Sequence, residues 1–222
     1  MSLPKILDLF CGAGGAGMGY HRAGFEVIGV DNKKQPRYPF DFILEDALKA
    51  AESYLAWGDF QAVHASPPCQ AFSDLKNLSD NVHPDLLGPI REILKKFDIP
   101  YIIENVDSAP MIEPIRLCGT QFEGLRVFRH RLFESNRPIK GLPHEKHKVK
   151  VYTFDRRKPQ FGEPLTEESF VQVTGGGNAP LVVKHKAMGI DWKMRAREIN
   201  QAIPPAYTEF LGKQLLQWVN NG

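Results

Sequence analysis

Four short apolar runs, each stopped by a polar or turn-forming residue, restrict the possible folds of this chain more than any other feature. They are residues 5–10 (KILDLF), 25–30 (FEVIGV), 60–65 (FQAVHA) and 99–103 (IPYII). They end at Cys11-Gly12, Asp31, Ser66-Pro67-Pro68-Cys69 and Glu104-Asn105. Runs of this length bounded by turn signals read as buried strands. Between them, residues 47–57 and 86–97 space their apolar positions for helices, the latter with Pro89 near its first turn. Met18–Arg22 reads as helix ending at Gly24. This alternation predicts an α/β fold built on a doubly wound, mostly parallel sheet.

Residues 132–185 differ from the rest. They hold five prolines, basic clusters, Gly175-Gly176-Gly177 and short β-prone pieces. They read as a small β-rich insert carried by a sheet domain made of 1–131 and 186–222. Residues 196–219 return to helical spacing around Pro204-Pro205, with Phe210, Leu211, Leu215, Trp218 and Val219 on one face.

With 42% apolar and 24% charged residues the chain is neither disordered nor fibrous. No apolar run approaches the roughly 18 residues needed to span a bilayer, and Asp8 interrupts the N-terminal run, which excludes a secretory signal. No membrane association is expected. Cys11, Cys69 and Cys118 cannot all pair, and no Cys-x-x-Cys spacing for zinc exists. A reducing, cytoplasmic setting follows as the expectation. The net charge of +2 is uneven: residues 137–158 hold eight Lys/Arg against Glu145 and Asp155, a surplus of six that leaves the other 200 residues at −4. A basic block containing Tyr152 and Phe154 suits a polyanion, although a solvated lysine-rich loop gives the same composition.

In open α/β sheets, ligands bind beyond the carboxyl ends of the strands. The first such end, Gly12-Ala13-Gly14-Gly15-Ala16-Gly17, satisfies G-x-G-x-x-G and is followed by Asp31 at the end of the second run. Glycines allow a tight turn and close approach of a ligand, and an acid there can accept from ribose hydroxyls. An adenosine-containing cofactor is indicated; glycines that only pack helix on strand are the alternative. Cys69 follows two prolines that fix the backbone, so a thiolate nucleophile is plausible if a helix N-terminus or a cation lowers its pKa. Cys11 and Cys118 lack that setting and read as packing residues.

Glu104 follows four core residues. Burial raises a carboxyl pKa and can keep the group protonated, whereas backbone amides or Arg129 would hold it ionised. In Arg129-His130-Arg131, strand alternation would turn both guanidiniums to one face, suited to a phosphate or a base carbonyl. The His144/His147 pair has no third ligand beside it in the sequence, so no metal site is expected.

Taken in order, Asp8–Gly15, Ser66–Ser73, Glu104-Asn105-Val106 and Arg129-His130-Arg131 resemble the cofactor loop, nucleophile loop, Glu-Asn-Val motif and arginine motif of DNA (cytosine-5) methyltransferases. Residues 198–207 (EINQAIPPAY) are similar to the family's C-terminal motif, whose helix packs beside the first loop. The resemblance implies a Rossmann-like S-adenosylmethionine-dependent methyltransferase acting on double-stranded DNA, as a compact monomer of phage or bacterial type. It implies that the Cys69 thiolate attacks carbon 6 of a flipped cytosine, protonated Glu104 holds ring N3, and Arg131, supported by Arg129, binds the base's carbonyl. For the cofactor it implies Phe10 on adenine, Gly12, Ala13 and Gly15 along the methionine, Asp31 on ribose, Asp46 on the adenine amine, Pro68 near the methyl and Leu86 as an apolar contact. The chain departs from the family at Val127, where a Gln usually opens the arginine motif, and at Asn200-Gln201, where Gly-Asn is usual. A structured RNA such as tRNA as substrate, or a non-catalytic DNA-binding relative, are the competing readings.

Overall fold

A computed structural model describes residues 2–69, 84–147, 151–152, 169–174 and 179–221. The four apolar runs form strands β1 (Lys5–Leu9), β2 (Glu26–Asp31), β4 (Ala62–Ala65) and β5 (Tyr101–Asn105). A further strand that the apolar pattern does not reveal, β3 (Asp41–Leu44), lies at the edge beside β2. It is short and half-exposed, so it lacks the continuous apolar run of its buried neighbours. Strands β6 (Ile115–Leu117) and β7 (Arg131–Ser135) complete a seven-stranded sheet in the order β3-β2-β1-β4-β5-β7-β6. The first five are parallel; β7 runs antiparallel to both β5 and β6. The main sheet therefore takes in Leu132–Ser135, four residues past the boundary expected for the insert.

Alternation along the central strands fills two layers. Leu7, Leu9, Val63, Ala65 and Ile103 pack under α2 (Ala47–Trp57) and α3 (Leu87–Leu94). Ile6, Val27, Ala62, Ile102 and Phe133 face α1 (Gly15–Ala23) and the C-terminal helix α6 (Pro205–Asn221). Helix α2 has the bounds its spacing predicts, with Asp46 accepting from the Leu48 and Lys49 amides as N-cap. On α6, Leu211 and Leu215 are buried as expected, but Trp218 is half-exposed, its indole N–H donating to the Pro138 carbonyl.

From the expected insert, β8 (Val151–Tyr152) and β9 (Phe170–Val171) form a parallel pair, and α4 (Leu181–Met188) is a helix the sequence does not suggest. A third apolar cluster joins this region to the sheet domain through Ala13, Val127, Val171, Val173, Met188 and Ile199, the last on the short helix α5 (Ala196–Gln201). Val127 is fully buried there, and a side chain at Gly119 would collide with it.

Candidate active site at the carboxyl ends of the strands

The strand order reverses between β1 and β4, so the loops leaving these two neighbours part and open a crevice. Out of β1 the chain curls at once, with φ of 59° at Phe10 and 51° at Gly12. A positive φ is uncommon for a bulky residue and marks an end that its surroundings hold in place. Cys11 donates its amide to the Val30 carbonyl at 3.1 Å, and Gly14 its own to the Cys11 carbonyl at 3.1 Å.

The glycines of this loop differ in what surrounds them. A side chain at Gly12 would meet nothing within 4 Å, whereas one at Gly15 would lie 2.5 Å from the Ile203 carbonyl oxygen. Gly12 therefore fronts open space and Gly15 lets the segment before α6 close on α1. Thr208 of α6 adds a hydrogen bond to the Ala16 carbonyl at 2.8 Å.

Asp31, at the tip of β2, accepts from the Gly12 amide at 3.2 Å and the Lys33 amide at 2.9 Å, which aims its carboxylate along the crevice rim. Asp46 uses Oδ1 for the cap of α2. Pro68 and Leu86 are half-buried at the ends of the nucleophile loop and the start of α3. Trp192, which the sequence does not single out for this loop, donates its indole N–H to the Ala13 carbonyl at 3.1 Å. It arrives from a segment 179 residues away in sequence, a distance that no local pattern reports.

Out of β4, Pro67 is buried and its carbonyl accepts from the Asn105 side-chain amide at 3.2 Å. The middle residue of Glu-Asn-Val thus fixes the loop that presents Cys69. Cys69 is a free, half-buried thiol. On β5, Glu104 lies opposite Phe133 of β7, with Arg131 its diagonal neighbour on the same face. Arg131 Nε pairs with Glu104 Oε1 at 2.9 Å, and both side chains are largely buried.

Burial raises the Glu104 carboxyl above its ordinary range, although Arg131, Arg129 and a hydrogen bond from Ser66 all pull it down. Burial also pushes the Cys69 thiol up, and Glu104 adds to this; Arg131 and Arg129 pull the other way without prevailing. The lowered thiol pKa expected for a poised nucleophile is therefore absent from the free protein, because desolvation outweighs both guanidiniums.

The two arginines do not share a task. Arg129 precedes β7, is 4% exposed, and donates to the Val173 carbonyl at 2.6 Å and the Asn200 carbonyl at 3.0 Å. The Tyr207 hydroxyl donates to the Arg129 backbone carbonyl at 2.7 Å. Burial, with Arg131 nearby, lowers the Arg129 guanidinium to about 9. Its Nε is buried without a partner. Arg129 is thus a tie between three segments, whereas the expectation was of two guanidiniums side by side. Asn200 serves in the same tie, and its side-chain oxygen accepts from Lys184 at 2.7 Å.

A buried chain of hydrogen bonds runs to Glu104 from behind. The Tyr20 hydroxyl meets His64 Nδ1 at 2.9 Å, His64 Nε2 meets Ser66 Oγ at 2.8 Å, and Ser66 bonds Glu104. Burial lowers His64 to about 3, so it is neutral. Tyr20 then donates to Nδ1, Nε2–H donates to Ser66, and Ser66 donates to the carboxyl. In the sequence His64 reads only as part of an apolar run and Ser66 only as the start of the nucleophile loop; their i, i+2 spacing is the signal that joins them.

The His144/His147 pair also gains partners. Cys118 and His130 converge on it, with Cys118 Sγ 3.4 Å from His147 Nε2 and His130 Nε2 3.2 Å from His144 Nε2. Cys118 is buried, as a packing residue would be, but its sulfur faces three imidazoles.

Residues 4–109 match the family model described as C-5 cytosine-specific DNA methylase. Among curated proteins, the chain is 29% identical over 118 residues to Type II methyltransferase M.AgeI of Thalassovita gelatinovora, covering 46% of this chain and 28% of that protein. It is 26% identical over 139 residues to Type II methyltransferase M.FnuDI of Fusobacterium nucleatum, covering 56% and 40%. The chain thus spans less than half the length of either relative. Among solved structures, a prophage-encoded E. coli protein described as a DNA modification methyltransferase superimposes with a TM-score of 0.67 at 15% identity, covering 99% of this chain and 100% of that one. A Spodoptera frugiperda DNMT2 variant gives 0.65 at 14%, covering 96% and 99%. At these identities the likeness is one of fold, that of the α/β sheet described above.

Proposed function

We propose that the chain, whose residues 4–109 match the model of the C-5 cytosine-specific DNA methylases, acts as a member of that family and methylates carbon 5 of cytosine in double-stranded DNA. The observation that carries this reading is the meeting of Cys69, Glu104 and Arg131 at the strand-order reversal, beside the curled loop 10–15. The three free cysteines are in keeping with a reducing cytoplasm.

The rim of the crevice fits S-adenosylmethionine. Gly12 fronts open space, Asp31 stands at the β2 tip, and Phe10 holds a positive φ beside them. Phe10 and Leu86 would take the adenine and Asp31 the ribose. Asp46 would use Oδ2 for the adenine amine, its Oδ1 being held by the helix cap. Gly12, Ala13 and Gly15 would line the methionine through their backbones, with Pro68 beside the reactive end. When bound, this cofactor supplies an electrophilic methyl group.

The chain's own residues must make carbon 5 a nucleophile. The Cys69 thiol gives up its proton to water as the sulfur adds to carbon 6 of the ring, and the displaced electron pair is shared between carbon 5 and the ring nitrogen N3. Glu104 protonated on its carboxyl donates to N3 and stabilises that charge. Arg131 keeps Nε on Glu104 and offers Nη2 to the carbonyl at carbon 2. After carbon 5 has been methylated it loses its proton to water, the carbon–sulfur bond breaks, and the Cys69 thiolate leaves. Arg129 acts by holding the entry to β7, so base contact falls to Arg131 alone. A stacked base cannot reach Cys69, so the cytosine has to leave the helix at a cost of about a few kcal/mol.

The test uses the purified chain, labelled S-adenosylmethionine, and duplexes with cytosine or 5-fluorocytosine. We expect label at carbon 5, a covalent complex with the fluorinated duplex, and neither with Cys69→Ser. Cofactor binding without transfer to any cytosine-containing DNA overturns the reading, and transfer to structured RNA in preference to DNA at matched salt replaces the substrate.

A further inference from the structure

Cys118, His130, His144 and His147 present their Sγ and ring nitrogens within 4.8 Å of one another. The four come from three separate stretches: the turn after β6, the entry to β7, and residues 144–147 within the basic region. Hydrogen bonding among them cannot account for the arrangement. His144 Nε2 lies 3.2 Å from His130 Nε2 and 3.1 Å from His147 Nε2, and the latter is also 3.4 Å from Cys118 Sγ. An imidazole nitrogen carries one in-plane proton or one lone pair, so it cannot bond in two such directions. Lone pairs crowded on a common centre instead suit a cation between them.

The spacings select the cation. Around zinc, with Zn–N near 2.05 Å and Zn–S near 2.3 Å, tetrahedral geometry separates nitrogens by about 3.3 Å and nitrogen from sulfur by about 3.6 Å. The three separations given above fall within a few tenths of an ångström of these values, and the remaining pairs lie within 4.8 Å. One thiolate and three imidazoles form a donor set of intermediate softness that favours zinc over oxygen-seeking cations such as magnesium or calcium.

The surroundings are those of a ligand shell. The Gln121 amide donates to Cys118 Sγ, while the Gln121 side chain bonds the Leu142 and Pro143 carbonyls at 2.9 and 3.2 Å. That one residue therefore supports both the sulfur and the approach to His144. Asp107 Oδ2 lies 3.8 Å from His130 Nδ1, the ring nitrogen that faces away from the cluster, and Asp107 Oδ1 is held by Arg116 at 3.2 Å. A carboxylate behind a ligating histidine orients its ring. The Phe128 ring stacks on His147 at 4.1 Å and 12°.

We propose that Cys118, His130, His144 and His147 bind one zinc ion in a closed tetrahedral site that fastens the base of the basic insert to the strand carrying Arg131. Binding converts the Cys118 thiol to a thiolate, its proton passing to solvent. Four protein ligands leave no position open, so the ion is structural. His130 stands between Arg129 and Arg131, so the fastening also sets the entry to β7.

The test is elemental analysis of the chain prepared without a histidine tag, followed by chelation and reconstitution with cobalt. About one equivalent of zinc per chain is expected, and the cobalt form should show intense visible bands of tetrahedral cobalt with a near-ultraviolet thiolate charge-transfer band. Cys118→Ser should remove the charge-transfer band. His144 lies at the surface, so His144→Gln should keep the fold, as circular dichroism will check, and should retain at least tenfold less zinc after dialysis. Wild-type chain with less than about a tenth of an equivalent after growth and dialysis with micromolar zinc overturns the proposal. So does a His144→Gln chain that holds zinc as wild type does. Neither readout requires methyl transfer, so this proposal and the catalytic one fail separately.

Discussion

At the scale of single residues, two buried groups on neighbouring strands respond to pH in opposite senses. Asp8 of β1 is fully buried; burial raises its carboxyl to about 7, although Tyr38 donates to Oδ2 at 3.0 Å, and Oδ1 is left without a partner. A carboxyl raised in the folded state binds more protons than the unfolded chain does. Its contribution is present below pH ~4 and is lost as pH rises towards 7, on the order of 4 kcal/mol in all. His64 of β4, lowered to about 3, stabilises fully above pH ~6.5, and that contribution is lost as pH falls. The two slopes offset each other between about pH 4 and 6.5. Asp8→Asn removes the first, so the variant should gain stability over the wild type at pH 8 and lose stability more steeply on acidification. Urea denaturation from pH 5 to 8 reads both effects, and parallel curves for the two proteins would show that Asp8 titrates normally.

Among the elements, the pairing of α1 with α6 is sensitive to a single added atom. A side chain at Gly19 would collide with Thr208 Oγ1 and the Pro205 carbonyl, and backbone cannot rotate away as a side chain can. Gly19→Ala should therefore destabilise by about 1–3 kcal/mol, more than the helix propensity of alanine returns. At Gly88 in α3 the added carbon would meet nothing within 4 Å, so Gly88→Ala should stabilise by up to about 1 kcal/mol. Thermal denaturation of the two variants checks the contrast, and equal shifts would refute it. The pattern of legibility follows from the same physics. Central strands and α2 were readable because burial on both faces or one leaves a periodic apolar trace. Strand β3, helix α4 and the tie made by Arg129 were not, because edge exposure removes that trace or the partners lie far off in sequence. Cys69, Glu104 and the loop at Gly12 stood out as chemistry at strand ends, whereas Cys118 and His130 acquire their partners only when β6 and β7 pair.

For the whole molecule, charge separates two tasks. The surplus of six positive charges in residues 137–158 rests on a body that is slightly negative. Arg156, Arg157 and Lys158 lie outside the described residues, and we propose that they grip phosphates on either side of the extruded cytosine. Replacing all three with alanine should make the slope of log affinity against log salt shallower by about 2–3, with cofactor affinity unchanged. An unaltered slope would remove this block from the interface. The clasp between the two ends of the sheet domain adds a consequence for biosynthesis. Gly15 and Gly19 leave the ribosome almost two hundred residues before the surface that covers them, Ile203 and the first turns of α6. A nascent chain still lacking that surface has its first loop open to water, and the loop gains its cover only once α6 has been made.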